Sequence, residues 1–246
     1  MTERFPGAPR AAWTRLALLA ALLLPPMAAQ AQAGAMSICG NPFQNHYGPF
    51  DYRKADQEKK RLVEGAHFTP GVESMTKPSK TTFREMAGDV AYTLHVFPNH
   101  HRALITMTRL GERHKTPQAP GAPYTVDCYY QRAVTFAPDD TVVRALYAQF
   151  LAKNNQRDMA LQQLAFGVHH AGDSPISHFN LGLVYFDLGE YGPAQAQAKR
   201  ARALGMPRME LIDRLKTAGQ WTEDEGGAGA AGGAASSPAP GASAAG

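Results

Sequence analysis

The chain of 246 residues carries 25 Lys and Arg against 21 Asp and Glu, a formal charge of +4, and 44% of it is hydrophobic. That is enough apolar material for a folded core, and the cations are scattered among acids, so no basic stripe suited to a phosphate backbone is present. Two cysteines are too few for a disulfide-dense scaffold, and neither belongs to a CxxC pair, which removes the usual basis for thiol redox catalysis.

Arg4, Arg10 and Arg15 precede an apolar run from Leu16 to Leu24, broken by Pro25 and Pro26 and followed by Ala-Gln-Ala triplets ending at Ala31 and Ala33. Residues 1–33 read as a signal peptide cleaved near Ala33, which predicts a periplasmic or secreted protein. The run is about half the ~20 residues of a spanning helix, and no later stretch is apolar enough to cross a bilayer. Ile38 precedes Cys39 where a lipoprotein site takes a small residue, so lipid anchoring is disfavoured. Cleavage removes Arg4, Arg10, Arg15 and Glu3, lowering the formal charge by two.

Residues 34–84 are rich in turn formers, including Gly48, Pro49, Pro70, Gly71 and Pro78, and read as an irregular arm. An even cysteine pair in an exported chain predicts a Cys39–Cys128 disulfide that ties this arm down across a loop of about 90 residues. The alternative is two thiols, with Cys128 buried in a helix. The aromatic run Tyr47 to Tyr52 is expected to pack against the end of the helical domain.

A helical domain is predicted over 85–221. An amphipathic segment from about Phe83 to Phe97, ended by Pro98, reads as an N-terminal capping helix. Helices follow at about Asn99 to Glu112 and Thr125 to Phe136, separated by Lys115 to Pro123, whose prolines and glycine widen the turn. Over 141–174, Asp139 or Asp140 can cap the first helix, and Asn154 with Asn155 suits the turn. Over 175–208, Ser174 or Asp173 caps a helix with Pro175 at its first position; Gly189 supplies the turn, and Gly205 and Pro207 end the second helix. Leu211, Ile212, Leu215 and Ala218 suggest a capping helix over 209–221. From Thr222 the chain is almost wholly Gly, Ala, Ser and Pro, and is expected to be disordered. Gly227, Gly229 and Gly232 match GxGxxG there, with neither strand nor amphipathic helix beside them, so a dinucleotide site is rejected.

Leu181, Gly182, Tyr185, Gly189, Tyr191, Ala194, Ala198 and Ala201 fall at the spacings of a tetratricopeptide repeat, and Tyr147, Ala148, Leu151, Ala160, Leu164 and Gly167 match that phase one full period earlier. The chain therefore resembles that family, as an exported member like those of Gram-negative bacteria. The resemblance implies an all-α short solenoid of three helix pairs, about 98–140, 141–174 and 175–208, with caps at both ends. It implies a non-catalytic adaptor or scaffold that docks a segment of another protein in a concave groove, without cofactor, metal or nucleic acid. By phase the groove carries Arg102, Ile105, Arg109, Glu112 and Arg113, then Val142, Ala145, Gln149, Ala152 and Lys153, then Ile176, Phe179, Leu183, Phe186 and Asp187. It is basic at one end and aromatic at the other, suited to carboxylates and apolar side chains, unless Phe179, Leu183 and Phe186 instead pack onto the C-terminal cap.

Two alternatives stand beside the adaptor. One is a structural subunit of an envelope complex, using its convex face or arm. The other is a hydrolase or metal enzyme using His100, His101 or His114, two of them adjacent. Adjacent helical residues point about 100° apart, and no HExxH spacing occurs, so the histidines are expected to be solvated or packed.

Overall fold

The structure is a computed structural model that describes residues 38–76 and 83–223. The expected signal peptide, its cleavage point and the Gly/Ala/Ser/Pro tail lie outside those residues. Within them the secondary structure is helical: α1 (Gln57–His67), α2 (Pro70–Glu73), α3 (Phe83–Val96), α4 (His101–His114), α5 (Val126–Phe136), α6 (Thr141–Lys153), α7 (Arg157–His170), α8 (Pro175–Asp187), α9 (Tyr191–Ala203) and α10 (Glu210–Thr217). None of these helices is long and apolar enough to cross a membrane.

The fold divides into two compact units at His170. In the first, α6 lies against α7, and α4 packs on α3, α5 and α6. Side-chain caps set where these helices begin. Asp140 accepts from the Val142 and Val143 N–H groups at the start of α6, and Thr125 accepts from the Cys128 N–H at the start of α5. Of the two adjacent aspartates able to cap α6, the buried one does so. Leu104, Met107 and Leu110 of α4, Tyr129 and Tyr130 of α5, and Leu151 and Leu164 of α6 and α7 are fully buried.

The arm is more ordered than its turn formers suggest. α1 is a helix of strong helix formers laid over the surface, with Val63 its one buried residue, and Asp56 caps it by accepting from the Lys59 N–H. Periodicity misses such a helix because it has almost no apolar stripe. The Gly48–Pro49 peptide is cis. On either side of it Tyr47, Phe50 and Tyr52 pack against Val63, Val96 and Phe97, as the aromatic run led us to expect. Cys39 and Cys128 form a disulfide with Cα atoms 5.1 Å apart, so the start of the arm is tied to α5.

In the second unit α8 packs against α9, and α10 lies on both. Ser174 caps α8, and Pro175 occupies its first turn. The interval in the chain from Thr141, which opens α6, to Pro175, which opens α8, equals that from Arg157 at the start of α7 to Tyr191 at the start of α9. The close approach depends on small residues: Ala194, Ala198 and Ala201 are buried, and a Cβ on Gly182 would sit 2.5 Å from Leu211 Cδ2 and 3.0 Å from Gln197 Cβ. Gly182→Ala is therefore expected to cost about 1–2 kcal/mol through overpacking. Thermal melting followed by Trp221 fluorescence checks this, and an unchanged melting temperature would show that α10 yields freely.

Candidate functional site

A cleft in the first unit runs between α4 and α6. Residues at successive turns of α4 present Ile105, Arg109 and Glu112 along one side, and α6 supplies Leu146, Gln149, Phe150 and Lys153 on the other. Tyr130 of α5 forms the floor. Its ring lies parallel to that of Tyr147 with centroids 5.2 Å apart, and its hydroxyl is 2.9 Å from Thr108 Oγ1. Burial pushes the Tyr130 phenol up to about 12, so it stays protonated and is a packing group, not a base.

The cleft holds a cavity of about 190 Å3 around Ile105, Arg109, Gln149 and Phe150. Beyond it a second cavity of about 630 Å3 is walled by Gly111, Lys115 to Pro117, Thr125 to Asp127 and Asn154. Thr108, Glu112, Phe150 and Lys153 line both. Lys153 Nζ bonds Glu112 Oε1 at 2.9 Å in the shared stretch. With side chains 67% and 49% exposed, the pair is worth no more than ~1 kcal/mol and exchanges readily for another carboxylate or ammonium. Arg109 is exposed and has no hydrogen-bond or ion-pair partner among the described residues.

Five of the expected groove residues, Ile105, Arg109, Glu112, Gln149 and Lys153, thus lie along this one cleft. Arg102, one turn earlier on α4, is held by the arm: its guanidinium bonds Glu73 at 2.7 Å and Glu64 at 3.0 Å. Arg113 lines neither cavity. Ala145 is buried in the core of the first unit, and Phe179 corrects the expectation outright. It is 2% exposed and lies under the Arg208 guanidinium, so it belongs to the core of the second unit.

Leu183 is half-buried. Phe186 lies under the Arg214 guanidinium, 4.3 Å from the ring centre, and Arg214 also bonds Asp187. Phe186 faces a shallow groove with Met209 and Asp213 within that unit. Phe150, Leu146 and Tyr130 were not among the expected site residues. Their signal was the aromatic spacing Tyr147 to Phe150, which helical phase alone assigns to core and surface equally.

The histidines of the enzyme alternative are built into the packing. His100 is fully buried and caps α4: its Nδ1 accepts from the Ala103 N–H, so Nε2 carries the proton and donates to Glu64 at 3.0 Å. Both ring nitrogens are committed, and neither is available as a base. Burial drives its pKa down to about 4 against the opposing pull of Glu64. Glu64 itself is raised by burial, but hydrogen bonds from Tyr52 and His100 and the charge of Arg102 outweigh this and hold it below the usual value.

His101 Nε2 lies 2.9–3.0 Å from both Asp140 oxygens. Asp140 is raised by burial and lowered more by His101, Asn99 and the α6 N–H groups, with a net depression. His114 is the last residue of α4. Among the described residues no group of three or more His, Cys, Asp or Glu is placed to hold a metal ion. No family profile, curated protein or solved structure matches this chain.

Proposed function

We propose that the chain is an exported adaptor of the tetratricopeptide-repeat kind, which docks a segment of another envelope protein in the cleft between α4 and α6. The observation that carries this reading is Arg109, a guanidinium without a partner among the described residues, beside Ile105, Leu146 and Phe150. A partner offering a carboxylate next to an apolar side chain satisfies both the charge and the apolar wall. The recurrence of helix pairs at a constant interval supports the repeat architecture, and the disulfide supports an oxidising compartment after export.

Arg109 and Gln149 are exposed, so charge reversal there leaves the core alone. In-cell crosslinking with mass-spectrometric identification should recover a dominant partner from the wild type. Its yield should fall at least tenfold with Arg109→Glu and with Gln149→Glu, as expected for an acidic ligand meeting a new like charge. An unchanged crosslink profile in both variants would move binding elsewhere on the protein.

A further inference from the structure

We infer that the cavity of about 630 Å3 beneath the segment joining α4 to α5 binds a short peptide with a free ammonium and a free carboxylate. The site stands on residues other than Arg109 and does not depend on the docking of a partner segment. Its basis is a pair of uncompensated charges on one lining. Lys115, the residue that closes α4, has no ion-pair partner among the described residues. Asp127, in the first turn of α5, accepts there only from neutral groups: Tyr147 Oη at 2.9 Å and Gln131 Nε2 at 2.6 Å. Each faces a helix end of opposite partial charge, which steadies it without supplying a full counter-charge.

Both residues line the same cavity, so a ligand bearing one charge of each sign completes two pairs at once. A simple anion would meet Glu112 and Asp127, and a simple cation would meet Lys115 and Lys153. The zwitterion is the class that answers both. The volume lies in the range of small-molecule sites and exceeds what one amino acid fills, which favours a short peptide whose backbone can reach the Thr116 and Thr125 hydroxyls.

The walls are fixed before any ligand arrives. Thr116 N–H bonds Gly111 O at 3.1 Å, Val126 N–H bonds Pro117 O at 2.8 Å, and Gln118 Nε2 bonds Ala122 O at 2.8 Å. Ala119 and Ala122 are buried, anchoring the segment. Gly111 permits this seat, since a Cβ there would come within 2.8 Å of Val126 Cγ2. An inserted segment held this firmly is a preorganised lining, and preorganisation is what lets a small ligand bind without first ordering a loop.

The test is affinity-selection mass spectrometry on the mature protein with a mixed-sequence tripeptide library in free-ended and doubly capped forms, together with free amino acids. Free-ended members should be enriched at least tenfold over their capped counterparts. Asp127→Asn should abolish the preference for a free ammonium, and Lys115→Gln the preference for a free carboxylate; the latter substitution is exposed and leaves the fold in place. Enrichment of single amino acids alone would keep the zwitterion and assign it to that source. Equal enrichment of free and capped members, or none of either, would overturn the inference. Arg109→Glu should leave the enrichment unchanged, which separates this site from the partner-docking cleft.

Discussion

Replacing Asp140 by alanine is expected to destabilise the first unit by about 3–5 kcal/mol, the range for breaking a buried, hydrogen-bonded charge network. Asp140 is 1% exposed and serves several groups at once. One oxygen caps α6 through the Val142 and Val143 N–H groups, both at 3.2 Å. The carboxylate also receives His101 and the Asn99 amide, the latter at 2.9 Å, and Arg53 Nε lies 3.5 Å away. Asn99 in turn accepts the Tyr52 N–H and bonds Asp51, so the arm and the start of α4 are fastened to α6 through this side chain. Alanine takes an acceptor from the buried Asn99 amide, which keeps only Asp51, and from the partly buried His101 ring, and loss of an acceptor is costly for polar groups that water reaches poorly.

Two companions separate the contributions. Asp140→Asn keeps an N-cap oxygen and loses the charge, so its effect should fall between alanine and wild type. Asp139→Ala removes an exposed carboxylate paired with Arg53 and should change stability by less than about 1 kcal/mol. Chemical denaturation followed by circular dichroism measures all three. Similar losses for Asp139→Ala and Asp140→Ala would show that the network does not act as described.

The contrast between these neighbours marks where sequence reasoning stops. Periodicity and capping rules bring both aspartates to the start of α6, and only the packed structure decides which is buried. The same rules work well where the constraint is local. Gly182, Ala194, Ala198 and Ala201 announce a close helix pair because larger side chains would not fit, and Ser174 with Pro175 announces a helix start. The first helix pair is harder to read, since the segment from Lys115 to Pro123 breaks the spacing that phases the other two.

For the candidate site, phase carries Ile105, Arg109, Glu112, Gln149 and Lys153 to one cleft because turns of a helix repeat regularly. It carries Arg102 there as well, and is blind to Glu64 and Glu73, which are 38 and 29 positions away in the chain and occupy its guanidinium. Phe179 fails for another reason. α8 buries Ser177, His178, Phe179, Leu181, Gly182, Val184 and Tyr185, a span wider than one face, so its pattern does not reveal which side is open.

Lowering the pH from 7.5 to 5.0 is expected to destabilise the first unit before its depressed carboxylates are protonated, with the buried His100 and His95 as the causes. The folded pKa of His100, near 4, lies below the ~6.5 of an unfolded histidine. As pH falls through the unfolded value the unfolded chain takes up a proton that the folded one refuses. The stabilisation is therefore complete above pH ~6.5 and is lost progressively down to about pH 4, by roughly 3 kcal/mol in all and about 2 kcal/mol by pH 5.

His95 acts in the same window and direction, since burial, with the Arg132 charge adding to it, lowers its pKa to about 4. The depressed carboxylates act lower. Asp51 is raised by burial and brought down to about 2 by hydrogen bonds from Arg53 and Asn99, so its contribution begins to fade only below pH ~4. His100→Asn isolates the first effect, because asparagine retains an N-cap acceptor for α4 but does not titrate. The variant should start somewhat less stable at pH 7.5, having lost the contact to Glu64, and then lose about 2 kcal/mol less than wild type on going to pH 5.0. Denaturation curves at the two pH values read this difference directly. Parallel losses in the two proteins would mean that the buried imidazole accepts its proton as easily in the fold as out of it, and that the cap at α4 does not depend on an unprotonated Nδ1.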